Sequence, residues 1–176
     1  MTPTWLDLPI SASRLATRAL DALQPAAQLA ARVYIGAAFF RSGLTKLADW
    51  ETTLLLFENE YAVPLLPHEL AAVLGTGGEL VLPVLLVLGL FGRFSALGLS
   101  VVNVVAVISL AEIAPAALQQ HVFWGSLLAG LALWGPGRWS LDAWWWPKLA
   151  GTGTGTDASA DVRGAKPMPA VRGRAA

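Results

Sequence analysis

The sequence predicts an all-α fold, an integral membrane four-helix bundle, from three observations. Of the 176 residues, 55% are apolar and only 14% are charged, whereas a soluble domain carries about 25% charged residues. Four stretches are apolar over the roughly 20 residues that a helix needs to cross a bilayer. The basic residues of the connections all fall on one side of the resulting arrangement. The composition therefore argues against a soluble catalytic domain.

Charge and cysteine content narrow the possible functions further. The 12 basic and 12 acidic residues cancel, so no net field attracts nucleic acid, and no nucleic-acid partner is expected. The chain contains no cysteine, which excludes disulfides, thiolate zinc sites, iron–sulfur clusters and dithiol chemistry. No nucleotide, nucleophile or metal motif is present in the sequence, so no metal site is predicted.

The first predicted element is a short amphipathic helix in the N-terminal segment, residues 1–26. The stretch SASRLATRALDAL has helical amphipathicity, with Ser11 or Ser13 as its N-cap. We expect this helix to lie on the inner membrane surface. No apolar core followed by a small-residue cleavage site precedes Pro25, so no signal peptide is expected.

The membrane domain is predicted over residues 27–142, with spans at residues 28–47, 70–91, 94–113 and 122–139. The first span is unusual because it contains three basic residues. A tryptophan-rich interfacial segment then opens residues 143–176. These end in a Gly-, Ala- and Pro-rich tail, which we expect to be disordered in the cytoplasm.

Loop charges predict the orientation. The stretch 48–69 contains five acidic residues and no Lys or Arg, and the stretch 111–121 also has no Lys or Arg. The basic residues in the connections, at the end of the fourth span and before the tail are Arg14, Arg18, Arg93, Arg138 and Lys148. The positive-inside rule therefore places both termini in the cytoplasm, in a multi-pass protein of a bacterial inner membrane.

The first span predicts a polar stripe that faces the bundle. On an ideal helix five residues lie within about 40° of one line: Arg32, Gly36, Phe39, Gly43 and Lys46. The glycines favour close helix packing, and the long stems of Arg32 and Lys46 can reach the two interfaces. Arg41 points to the opposite face, roughly 9 Å deep, and must snorkel or meet an acid on a neighbouring helix or subunit.

Glu79 is the sharpest single feature, because it is a carboxylate near the middle of the second span. Gly75-Thr76-Gly77-Gly78 precede it and Pro83 follows, a pattern that predicts a flexible turn and a kink. One interpretation is a carboxylate that handles protons or contacts a ligand. The alternative is a structural ion pair with Arg41 or Lys46.

Three further polar residues lie in or beside the later spans. Asn103 is in the middle of the third span with Ser100 on nearly the same face, which favours interhelical hydrogen bonding. His121 either transfers protons, contacts lipid headgroups or has no special role at the interface. A haem held by His68 and His121 has no supporting motif.

Taken together, these motifs resemble the DoxX family of small bacterial membrane proteins, over about residues 30–142. The likeness consists of R-x3-G-x2-F-x3-G-x2-K in the first span, FENEYAVPLLP at residues 57–67, Glu79 in ELVLPVLLVLGL, Arg93, His121, and GPGRWSLD at residues 135–142. The resemblance implies a four-helix bundle in the inner membrane. Some members of this family are linked to quinone-dependent sulfur oxidation or terminal oxidases, and others to enzymes that counter oxidative stress.

Three functional hypotheses follow. The first is an accessory membrane subunit of a redox system, in which Glu79, Lys46 and His121 meet a quinone head or move its proton. The second is a structural anchor or assembly factor for a membrane-associated redox enzyme. The third is a small transporter that works as a homo-oligomer, favoured by the expected break in the second span. A standalone enzyme with its own cofactor has little support.

Overall fold

The protein is built from helices throughout the part of the chain that the structure describes. A computed structural model describes residues 7–150, which form six helices: α1 (Asp7–Ala48), α2 (Trp50–Asn59), α3 (His68–Leu88), α4 (Gly92–Ile108), α5 (Pro115–Trp134) and α6 (Leu141–Ala150). The predicted all-α class is confirmed. The predicted disordered tail lies outside the described residues. The tryptophan-rich segment before it lies in α6.

Four of these helices form a ring of contacts around one core. α1 packs on α3, α3 on α4, α4 on α5, and α5 returns to α1. The buried core residues are Ile35, Phe39, Leu86, Ala96, Leu99, Leu128 and Leu131. Each of the four predicted spans overlaps one of these helices. α1 begins 21 residues before the first predicted span, and the other ends differ by one to seven residues.

Hydropathy alone marks one of the described helices as a membrane-span candidate. α3, with 21 residues, is long and apolar enough to cross a bilayer. α4 is apolar but has only 17 residues. The apolar part of α1 carries Arg32, Arg41 and Lys46, which lower its mean hydropathy. α1 and α4 therefore need packing partners or charge-neutralising contacts if they cross the membrane.

The N-terminal segment is continuous with the first predicted span. α1 runs without interruption for 42 residues through Pro25, so its first part is not a separate helix. Ser11 and Ser13 lie inside α1, and the prediction that one of them caps a helix is wrong. The flanking leucines, alanines and arginines favour helix on both sides, which leaves no non-helical residue there. Whether this part lies on a membrane surface stays a prediction.

The predicted break in the second span is also wrong, because α3 continues through Gly75–Gly78. Gly78 instead allows close packing, because a Cβ there would lie 3.2 Å from the Val102 side chain. A Cβ at Gly75 would make an ordinary contact of 3.5 Å with the Phe57 ring, and one at Gly77 would meet nothing within 4 Å. Small residues are used in this way where membrane helices approach each other closely.

One tight turn joins α3 to α4. Gly89 ends α3 with φ of 66°, a left-handed conformation that glycine adopts at little cost. Phe91 has φ of 49°. The Asp142 carboxylate accepts hydrogen bonds from the backbone N–H groups of Phe91 (2.9 Å) and Gly92 (2.8 Å). This carboxylate ties the start of α6 to the start of α4.

Candidate functional site

Lys46 and Glu79 form an ion pair between α1 and α3. Lys46 Nζ lies 2.7 Å from Glu79 Oε1 and 2.5 Å from Oε2. It also donates to Ser42 Oγ at 3.0 Å. Glu79 is buried, and the Lys46 side chain is 20% exposed. Of the two cations that the sequence offered as partners, the structure pairs Glu79 with Lys46.

The glycines of the α1 stripe bring the two charges together. A Cβ at Gly43 would lie 2.9 Å from Leu80 Cγ and 3.1 Å from Glu79 Cβ, and one at Gly36 would lie 2.5 Å from Val87 Cγ2. Because neither glycine has a side chain, α1 lies directly against α3 along the whole stripe. This geometry places Gly36 and Gly43 in the contact between α1 and α3.

A cavity of about 210 Å³ lies beside this pair, between α2, α3 and α4. Its polar groups include Lys46, Glu79 and Tyr61, and most of its wall is aliphatic, including Val102 and Val105. Leu74 and Val101 also line it, yet they are 54% and 63% exposed. The cavity therefore opens sideways between α3 and α4, through an apolar rim.

Tyr61 is a site residue that sequence reasoning did not single out. It follows α2, packs its ring on Phe57 at 4.9 Å, and is fixed by the Ala62 N–H, which donates to Ser109 O at 2.8 Å. Burial, with smaller contributions from the charges of Glu60 and Glu79, raises the pKa of its hydroxyl. FENEYAVPLLP marked this segment, but only the fold shows that it closes the cavity.

Asn103 and His121 form a second polar pair, between α4 and α5. His121 Nδ1 and Asn103 Oδ1 are 2.8 Å apart, and Asn103 Nδ2 donates to the His121 carbonyl at 3.0 Å. The predicted interhelical hydrogen bond of Asn103 is therefore present, while Ser100 bonds only to Ala96 of its own helix. His121 is not part of the cavity wall, although the charge of Glu79 acts on it electrostatically.

Arg32 has a structural position inside the bundle, on the face of α1 that carries the predicted stripe. It is fully buried, and its guanidinium donates to the carbonyls of Val87 (3.2 Å) and Trp139. Asp142 acts on it electrostatically. A buried cation needs such partners, so Arg32 fastens the end of α3 to the segment before α6 and does not snorkel.

Arg41 and Arg93 lie away from the cavity. Arg41 is exposed on the outer face of α1, as its helical angle predicts, with no acidic partner among the described residues. Arg93 is exposed at the start of α4, and its guanidinium lies 3.4 Å from the Leu133 carbonyl. The His68 side chain is exposed at the start of α3.

Comparison with known proteins identifies the family. Residues 27–112 match the model of the DoxX family. This match covers the second half of α1, α2, α3 and α4, and therefore every residue of the ion pair and the cavity described above. Neither the curated proteins nor the solved structures that were compared with the chain gave a match. Residues 27–112 thus belong to the DoxX family, a family of membrane proteins.

Proposed function

We propose that this protein is an accessory subunit of a membrane redox system and that the cavity beside Lys46 and Glu79 binds the head of a lipid-soluble quinone. The observation that carries the proposal is a buried ion pair in the wall of an apolar cavity that opens sideways. Ionisable side chains are costly at membrane depth and mark sites of function when they are kept there.

The proposal places α1, α3, α4 and α5 across the inner membrane, with both termini in the cytoplasm. The apolar α3, the ring of helix contacts and the segregated loop charges support this arrangement. It brings the rim at Leu74 and Val101 into contact with acyl chains. A ligand dissolved in the bilayer can reach the cavity there without crossing water.

The size and chemistry of the cavity fit a quinone head. The cavity is larger than the roughly 150 Å³ that holds a benzene ring, and smaller than the roughly 300–1,000 Å³ of sites for drug-sized ligands. A quinone offers two carbonyl acceptors, and the polar wall offers the Lys46 ammonium and the Tyr61 hydroxyl as donors. The aliphatic wall matches the substituted ring, and the isoprenoid tail can leave through the rim.

The residues of this chain have distinct tasks in the proposal. A bound quinone supplies two-electron, two-proton chemistry to a partner enzyme. Lys46 orients it by donating a hydrogen bond to a carbonyl oxygen. Glu79 holds the Lys46 ammonium in place through the ion pair, and its carboxylate can accept a proton at Oε1 or Oε2. Phe57 and the aliphatic wall keep water away from these groups.

The test is quinone binding by the purified full chain in detergent, with decylubiquinone as the probe and tryptophan fluorescence as the signal. Glu79→Gln removes the charge that holds Lys46, and we expect about tenfold to hundredfold weaker binding, the range for a hydrogen bond to a charged group. Glu69→Gln, at an exposed acid on the same helix, is the matched control and should leave binding unchanged.

A second variant separates ligand binding from folding. Val105→Phe fills the cavity and leaves both charges intact, so it should abolish binding while the protein is still produced at the parental level. Parental affinity in both Glu79→Gln and Val105→Phe would remove the cavity from the function. A drop in abundance without a change in affinity would favour the alternative of a structural anchor.

A further inference from the structure

A second, larger groove lies at the opposite end of the helices from the quinone cavity. It has a volume of about 740 Å³ and runs between α1, the start of α4 and the end of α5. Arg93, which contributes to it, lies 12 residues before Val105 on α4, a rise of about 18 Å. The two sites therefore do not overlap.

Within residues 7–150, no ion pair neutralises the positive charge of the groove. Arg93 and Arg138 line it, and both are exposed. Arg138 has no acidic partner within residues 7–150. The one acid of the groove wall is Asp142, and its two oxygens already accept from the backbone N–H groups of Phe91 and Gly92. The buried Arg32 lies close enough to Asp142 to balance its charge.

The walls of the groove are apolar and exposed. Phe91, Phe94 and Trp134 line it with 60%, 66% and 73% of their surfaces exposed. Tryptophan at such a position is typical of the membrane–water interface. The groove thus combines an apolar wall with two exposed guanidinium groups that have no acidic partner within residues 7–150. One ligand class has both matching parts: a phosphate anion joined to acyl chains.

We propose that this groove binds an anionic phospholipid, with the headgroup phosphate held by Arg93 and Arg138 and the acyl chains along Phe94 and Trp134. Guanidinium groups pair with phosphate oxygens through two parallel hydrogen bonds. Basic pockets between helix ends on the cytoplasmic side are suited to anionic headgroups. The groove lies at the end that carries Arg14 and Arg18, the side that the loop charges assign to the cytoplasm.

The experiment compares dioleoyl-phosphatidylglycerol with dioleoyl-phosphatidylcholine, titrated onto the purified full chain in detergent and counted by native mass spectrometry. The parent should retain phosphatidylglycerol preferentially. We expect Arg138→Gln to weaken its apparent affinity about fivefold, and the double variant Arg93→Gln/Arg138→Gln about thirtyfold. Phosphatidylcholine binding should stay unchanged.

Three controls keep the proposal falsifiable. Arg14→Gln/Arg18→Gln removes two cations from the same side but outside the groove, and should keep the parental preference. Arg93→Lys/Arg138→Lys retains the charge and should retain most of the binding, which would assign the loss in the glutamine variant to its missing charges. Decylubiquinone binding should be unaffected in the glutamine double variant, because its cavity lies at the other end.

Three results would overturn the proposal. Equal retention of the two lipids by the parent would show that the groove does not select an anion. An equal loss in Arg14→Gln/Arg18→Gln would assign the preference to the general basic surface. Binding of glycerol 3-phosphate as tight as that of the lipid would show that the apolar walls contribute nothing and that the ligand is a soluble phosphate.

Discussion

The Lys46–Glu79 pair shows how one buried interaction can be costly to break from either side. Removal of one partner leaves an uncompensated charge in an apolar setting, with a cost of about 3–5 kcal/mol. Replacement of both by apolar residues leaves no such charge. We therefore expect the removal of one partner to cost more free energy than the replacement of both.

This asymmetry gives the first residue-scale prediction. Lys46→Met and Glu79→Leu should each lower the free energy of unfolding by about 3–5 kcal/mol, while the double variant should cost much less than their sum. Thermal unfolding of the purified chain in detergent, followed by circular dichroism, measures the cycle. Additive costs would show that the two groups do not interact, in conflict with their 2.5 Å separation.

Tyr61 gives a prediction about pH. Burial disfavours its phenolate, so its pKa in the folded protein is raised above the ordinary value of about 10. The folded state then holds this proton more tightly than the unfolded state does. Its contribution to stability is fully present below about pH 10 and is lost as the pH rises through the folded pKa.

Absorbance of tyrosinate measures this directly. The chain has two tyrosines, so a Tyr34→Phe background isolates Tyr61. Its titration should have a midpoint above that of free tyrosine, and unfolding in detergent and denaturant should move the midpoint down. A midpoint at or below the ordinary value would mean that the Tyr61 ring is not held in the cavity wall.

The residue scale also shows where the sequence is informative and where it is not. Glu79 stands out in sequence because a carboxylate in an apolar segment is rare, and Lys46 follows from the helical angle of the α1 stripe. Tyr61 and Phe57 do not stand out, because an aromatic residue after an acidic loop has many possible neighbours. Only the fold places them in the cavity wall, because the loop after α2 contacts Ser109 and the Tyr61 ring packs on Phe57 of α2.

At the scale of elements, the close contact of α1 with α3 depends on positions that lack a side chain. Periodicity predicted the face of α1 that packs, because helical angles are fixed by 3.6 residues per turn. The prediction for α3 was wrong at Gly75–Gly78, which were interpreted as a flexible turn before a kink at Pro83. Membrane-type helices tolerate both residues when neighbouring helices pack against them, and this packing information is absent from a single segment.

The prediction at this scale compares two glycines. Gly43→Ala places a Cβ 2.9 Å from Leu80 Cγ and should cost about 1–3 kcal/mol by overpacking. Gly77→Ala is the matched control, because a Cβ there meets nothing within 4 Å. It should be neutral or stabilise α3 by up to about 1 kcal/mol through helix propensity. Melting temperatures of the two variants should therefore move apart, and equal shifts would contradict the close α1–α3 packing.

At the scale of the whole molecule, neutrality is the sum of two separated sets of charges. The loop after α1 and the first turn of α3 carry acids, including Asp49 and Glu69, while the ends near Arg93 and Arg138 carry cations. The structure adds that one of these ends contains the cavity beside Lys46 and Glu79 and the other the basic groove. Sequence alone could predict the charge separation, but not the cavities, because both are formed by residues from three or more distant segments.

The membrane arrangement predicts which positions face each side, and the absence of cysteine makes the test direct. Four single substitutions at exposed positions each introduce one thiol into an otherwise thiol-free chain: Thr17→Cys, Glu60→Cys, Glu112→Cys and Ala143→Cys.

In intact cells a membrane-impermeant maleimide should label the variants at 60 and 112, which belong to the acidic loops. Those at 17 and 143 should react only after permeabilisation, because they belong to the basic side. Labelling of positions 17 and 60 from the same side would mean that α1 does not cross the membrane, and the lateral route to the quinone cavity would be lost with it.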